Sequence, residues 1–169
     1  RTLASLAIDG PNRKCYRIDK DAGALKLLDF NNLQAKEVSL VCTGDTQILS
    51  AFMAPGLLYR DNRLVGLGPS SVAGRFAVYT ATVEGRGLSG QPPVPWVRDA
   101  VDANEPAYIV AANALHGVWN NFFGPIGGKY YFQNNNTDNQ TVQEYTPSWS
   151  SPQTHTVQIV AGHSIEVLP

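Results

Sequence analysis

Charge is scarce in this chain. Asp, Glu, Lys and Arg make up 16% of its 169 residues, against a norm of about 25%, and the net charge is −1. A nucleic-acid module normally carries a basic excess, so this balance argues against one. The little charge there is divides unevenly. Residues 1–100 hold 12 of the 13 Lys and Arg, whereas residues 101–169 hold Lys129 against Asp102, Glu105, Asp138, Glu144 and Glu166. Cysteine is limited to Cys15 and Cys42. Two cysteines so far apart give no C-x-x-C pattern for zinc or thiol chemistry. Both sit in apolar, strand-like settings, which leaves two buried thiols or one bridge, worth about 3–4 kcal/mol in the chain-entropy view, as open alternatives. No apolar run approaches ~18 residues, so no membrane insertion is expected. The beginning, Arg1-Thr-Leu-Ala4, has neither a Met nor a following apolar h-region. It leads us to expect a piece excised from a larger protein.

Catalytic marks are equally sparse. The three histidines, His116, His155 and His163, form no H-E-x-x-H pair suited to zinc. Gly68-Pro69-Ser70-Ser71 is not a G-x-S-x-G nucleophile elbow, and no phosphate-binding glycine loop is present. Asp19-Lys20-Asp21-Ala22-Gly23 starts like a calcium loop but lacks the later acids. It reads more simply as a turn, with Asp capping and Gly supplying positive φ. Acids such as Asp61 and Glu144 could pair for glycoside hydrolysis, but nothing local promotes them over others. We expect no enzyme, no cofactor and no bound metal.

What the chain does contain is turn punctuation and short alternating runs. Hydrophobic content is 43% and net charge is small, so the chain should fold, and its length suits one domain spanning residues 1–169. Fifteen Gly, 11 Pro and 12 Asn break it into short pieces. Val38, Leu40 and Cys42 alternate with Ser39, Val41 and Thr43, as a half-buried strand would. Phe76–Ala81 and Val157–Ala161 alternate likewise, the second turning at Gly162-His163 into Ser164–Leu168. Further strands are expected at Lys14–Ile18, Ala24–Leu28, Thr46–Ala51, Arg63–Leu67, Tyr108–Ala112 and Lys129–Gln133. Helix signals are few. Pro95–Ala103 could make a turn or two, and Ala111–Phe123 has helical spacing interrupted by Gly117. Gly85–Pro95 and Asn134–Pro152 read as long loops. The fold class expected is all-β, a β-sandwich or β-barrel with long loops and at most one or two short helices.

Recognition surfaces combine rigid aromatic anchors with adaptable polar groups. The densest such mixture lies between Trp119 and Trp149. We take Trp119, Asn134, Asn135, Asn136, Asp138, Tyr145 and Trp149 as candidate ligand-binding residues. Trp149 stands out because its neighbours, Thr-Pro-Ser and Ser-Ser-Pro, offer no apolar periodicity. Asn135-Asn136-Thr137 and Asn139-Gln140-Thr141 are N-x-[ST] sequons, which mark that stretch as a surface loop and as glycosylation acceptors on a secretory route.

In general character the chain resembles the protruding (spike) domains of small icosahedral virus capsid proteins. The likeness rests on the start at Arg1, the runs Glu37–Thr43 and Arg75–Val83, and the loops Gly85–Pro95 and Asn134–Pro152. No family motif carries it. It implies a place on the virion surface or outside the cell, self-association into dimers or trimers, and attachment to a host-cell receptor, including a glycan. A carbohydrate-binding or adhesin module of a secreted microbial protein is the alternative.

Overall fold

A computed structural model describes residues 6–32, 34, 36–50, 57–69, 76–99, 120–126, 129–134, 139–145 and 153–158. Among these residues the regular structure is strand, with one short 3-10 turn. The fold is all-β, as the alternation leads one to expect. By proximity along the backbone the chain divides into two compact units. One is Arg1–Pro69 with Val78–Asp99, and the other is Ser70–Ala77 with Ala100–Pro169.

The first unit begins with an antiparallel meander. Strands β1 (Leu6–Asp9), β2 (Lys14–Asp19), β3 (Ala24–Asp29) and β4 (Val38–Leu40) pair in that order. The first three end in Asp, and each Asp organises the turn that follows it. Asn12 N donates to Asp9 Oδ1 (3.2 Å), Ala22 N to Asp19 Oδ1 (3.2 Å) and Asn31 N to Asp29 Oδ1 (2.9 Å). The turn at Asp19 therefore takes its form from side-chain capping, and Gly23 occupies φ +59° there.

The pleat sends alternate residues to opposite sides. Ala7, Tyr16, Ile18, Leu25, Leu27 and Leu40 are buried on one side of this sheet.

The second sheet has the order β5-β9-β8-β7-β6, with β5 (Cys42–Gly44), β6 (Leu57–Arg60), β7 (Arg63–Pro69), β8 (Phe76–Thr82) and β9 (Val94–Asp99). Its middle is buried on both faces. Leu64, Val65 and Leu67 on β7, and Ala77, Val78, Tyr79 and Ala81 on β8, are each at most 5% exposed. Such strands read as continuous apolar runs, not as alternation.

The two sheets meet at both ends. Val41 alone joins β4 to β5, so the chain steps from one sheet to the other within a residue. At the far side β1 runs beside β6, and the Tyr16 ring stacks on Tyr59. The unit is thus two sheets joined along both edges around one interior. The 3-10 turn Thr46–Ser50 plugs it with Ile48 (1% exposed) and Leu49 (6%), packing on β2, β3 and β7.

The second unit contains a four-stranded antiparallel meander. Its strands are β10 (Asn120–Ile126), β11 (Lys129–Asn134), β12 (Asn139–Tyr145) and β13 (Gln153–Gln158), paired in sequence order. A register shift between Phe123 and Ile126 marks a bulge at Gly124-Pro125, where proline cannot donate to a ladder.

Several local expectations are corrected. Val38–Thr43 is two strands in two sheets. Thr46–Ala51 was expected as a strand, but Thr46–Ser50 is a 3-10 turn. Pro95–Asp99 is strand, not helix, because β9 pairs in parallel with β5 and antiparallel with β8. Pro95 is tolerated near the start of that strand. Phe122 and Phe123, helical by spacing, lie on β10. Asn134–Pro152 is not one loop, since β12 runs through it. The expected strand Tyr108–Ala112 and the turn at Gly162-His163 lie outside the described residues.

Candidate recognition surfaces

The residues singled out by composition fall in the second unit, where backbone register places two of them. Asn134 ends β11, opposite Asn120 on β10 and Thr141 on β12. Tyr145 ends β12, opposite Tyr130. Thr141 and Tyr145 are four residues apart, so Asn134 and Tyr145 stand at opposite ends of the sheet, ~13 Å apart along the strands. They do not converge on one point. Trp119, Asn135, Asn136, Asp138 and Trp149 lie outside the described residues. Asn139 opens β12 opposite Gln158, so the second sequon belongs to a strand, not to a loop.

Register also assembles a row that composition alone did not isolate. Asn120, Asn134, Thr141 and Thr156 occupy adjacent positions across all four strands. Two positions along lies the row Phe122, Phe132, Gln143 and Thr154.

In the first unit, sequence reasoning missed the outer side of the first sheet. Ile8, Cys15 and Leu28 are aligned by register across β1, β2 and β3, with Leu6 and Phe30 flanking them. Leu6 is 56% exposed, Ile8 66% and Phe30 49%. The pattern of β1 was available but points the other way. Large apolar residues at 6 and 8 would be expected inside, yet Ala7 and Asp9 are each only 2% exposed. The partner strand explains the inversion. Ala7 sits opposite the buried Tyr16, and a small residue there leaves room for the ring.

Beside this apolar row lies a closed set of ion pairs. Arg17 Nη2 donates to Glu37 Oε2 (2.7 Å) and to Asp19 Oδ2 (3.3 Å), and Arg17 Nε donates to Glu37 Oε1. Lys26 Nζ donates to Ser39 Oγ (2.6 Å). Hydrogen bonding from Arg17 holds the Glu37 carboxyl below its ordinary range. The Ala22 amide does the same for Asp19, with Arg17 assisting. Cys15 is a free, half-buried thiol in the apolar row. Burial, and then the Glu37 charge, push its pKa up.

Asp9 is the one buried carboxylate among the described residues. Asn12 donates to it twice, from its backbone N and from Nδ2 (2.9 Å). The Tyr59 hydroxyl reaches both this carboxylate and Asn62 Oδ1 (3.0 Å). A carboxylate engaged in this way holds a turn.

Cys42 is likewise a free thiol. Its Sγ lies 3.6 Å from the Leu40 carbonyl oxygen, and burial raises its pKa while the Trp96 indole and the Leu25 amide oppose that rise. Among the described residues no cluster of three or more His, Cys, Asp or Glu is arranged to hold a metal, and no helix is long and apolar enough to cross a membrane.

No family model, no curated protein and no solved structure matches the chain.

Proposed function

We propose that this chain is a non-catalytic β module for assembly and recognition, and that a second copy of it covers the outer face of the first sheet. The observation that carries this reading is the apolar row in which Leu6, Ile8 and Phe30 are exposed and Cys15 and Leu28 half-buried. Contiguous exposed apolar surface marks interaction sites. Arg17, Asp19 and Glu37 beside the row are paired with one another, so association would leave these three with their partners. A net charge of −1 also gives two copies little mutual repulsion. This fits the context implied by the resemblance to capsid protruding domains: dimers or trimers on a virion surface, with a host receptor or glycan as further partner. Light scattering over a range of concentrations tests it. The mass should rise toward a dimer or trimer, and Ile8→Lys should return it to the monomer. A monomer at every concentration overturns the reading.

The alternative, a carbohydrate-binding or adhesin module, draws on the row Asn120, Asn134, Thr141 and Thr156. Residue types with amides and hydroxyls at adjacent register positions are those that bind a hydroxylated ligand, with Trp149 as the residue type that stacks on it. On this reading the chain stays monomeric and retains a soluble oligosaccharide. Trp149→Ala then abolishes retention while the Tm stays within a few degrees. Loss of folding in that variant would place Trp149 in the core and remove it from the site.

A further inference from the structure

The segment Glu84–Pro93 joins β8 to β9 and lies across the corner where β4 passes into β5. Its attachments are mostly backbone. Val41 N donates to Gly87 O (2.9 Å) and Gly87 N to Pro92 O (2.8 Å). Gln91 N donates to Leu88 O (3.0 Å), and Leu88 N to Gln91 Oε1 (3.3 Å). Val94 N then donates to Val41 O (2.8 Å), where β9 begins.

Of the ten residues, only Gly87 is buried, and it has no side chain. Beneath it lie Leu40 (5% exposed) and Val94 (0%). The fit is close, since a Cβ on Gly87 would stand 2.8 Å from Leu40 Cβ and 3.0 Å from Val94 Cγ2. The segment therefore covers part of the core while fully burying no side chain of its own. Leu88, its one large apolar residue besides the prolines, is 39% exposed.

This combination fixes how the segment opens. Hydrophobic stabilisation scales with the apolar area removed from water, and here the fully buried part of that area belongs to Leu40 and Val94, with Leu88 only partly covered. Segments with few buried apolar contacts and solvent-facing backbone hydrogen bonds open at low free energy. Gly85, Gly87 and Gly90 hold positive φ (64°, 86° and 80°), a region only glycine occupies freely. Pro92 and Pro93 provide no amide to tie the returning limb.

We propose that Glu84–Pro93 is a hinged strap, which lifts as a unit from the β4–β5 corner while the ladders stay closed, uncovering Leu40 and Val94. This is independent of the assembly reading, since it needs no partner.

Amide hydrogen exchange on the whole chain tests the strap. The Val41 amide, whose acceptor Gly87 O belongs to the strap, should exchange ~100-fold or more faster than the ladder amides of β2 and β3. Gly87→Ala should accelerate Val41 by a further ~10-fold and leave β2 and β3 unchanged, because the added methyl acts only where the strap is seated. Exchange of Val41 at the β2–β3 rate, as in global unfolding, overturns the proposal. So does a Gly87→Ala variant with unaltered Val41 exchange. If that variant does not fold, the comparison within the unsubstituted protein decides.

Discussion

The rings of Tyr16 and Tyr59 lie nearly parallel, 8° apart with centroids 5.9 Å from each other. Tyr16 belongs to β2 in the first sheet and Tyr59 to β6 in the second, so this stack spans the two sheets of the first unit. Tyr16 is 3% exposed, and burial, with Asp9, Tyr59, Asp29 and Glu84 around it, drives its hydroxyl well above the ordinary tyrosine range. It stays neutral.

Removing the Tyr16 ring should therefore cost as much as other large-to-small core changes. Tyr16→Ala is expected to destabilise by about 3–5 kcal/mol, measured by urea unfolding. Tyr59→Ala, at a half-exposed position, should cost less. A double-mutant cycle should return a coupling of about 0.5–1.5 kcal/mol. A coupling of zero would mean that the stack contributes nothing beyond burial.

Glycine at 44 is required for two reasons at once. It holds φ +79°, and a Cβ there would overlap the Trp96 backbone carbonyl oxygen. Gly90 has similar φ (+80°) but open space around its Cβ position. Gly90→Ala should thus cost about 1–2 kcal/mol, the left-handed strain alone. Gly44→Ala should cost more, by separating β5 from β9. Equal unfolding midpoints for the two variants would refute this ranking.

The Arg17–Glu37–Asp19 set makes a pH prediction with a definite sign. Both carboxyls have lowered folded pKa values. Their contribution is present above the unfolded carboxylate range and is lost as pH falls through the lower folded values. Arg17→Ala should flatten the acid limb of the stability curve between these limits. At neutral pH the loss should be small, because all three groups face solvent. An unchanged acid limb would show that these contacts are not held in solution.

Cys15 should react slowly with a thiol reagent at pH 8, since the thiolate is the nucleophile and its pKa is raised. Glu37→Gln removes the second cause and should speed the reaction, by less than about 10-fold because burial is the larger one. A rate unaffected by this change would place the Glu37 charge too far away to act.

Much of the first sheet could be read from the chain. Alternation located β2 and β3 to within a residue, since one face of each is buried and the other solvated. The Asp19 turn was legible because its capping atoms are three residues apart. Reading failed where a residue's setting depends on a distant strand. Leu6 and Ile8 face outward because Ala7 must lie opposite Tyr16. The polar run at 139–145 becomes a strand because β11 and β13 flank it on both sides. The Trp119–Trp149 mixture was read as one site because its members are near in sequence, yet Asn134 and Tyr145 mark opposite ends of a sheet.

The order of residues by itself determined that this would be a β protein of short strands, because side-chain alternation and turn chemistry act over two to four residues. Only the tertiary structure decided where β4 gives way to β5 at Val41, that Pro95 joins a strand, and which side of β1 meets water. Each of these is set by hydrogen bonds and packing between segments far apart in the chain, which no local pattern encodes.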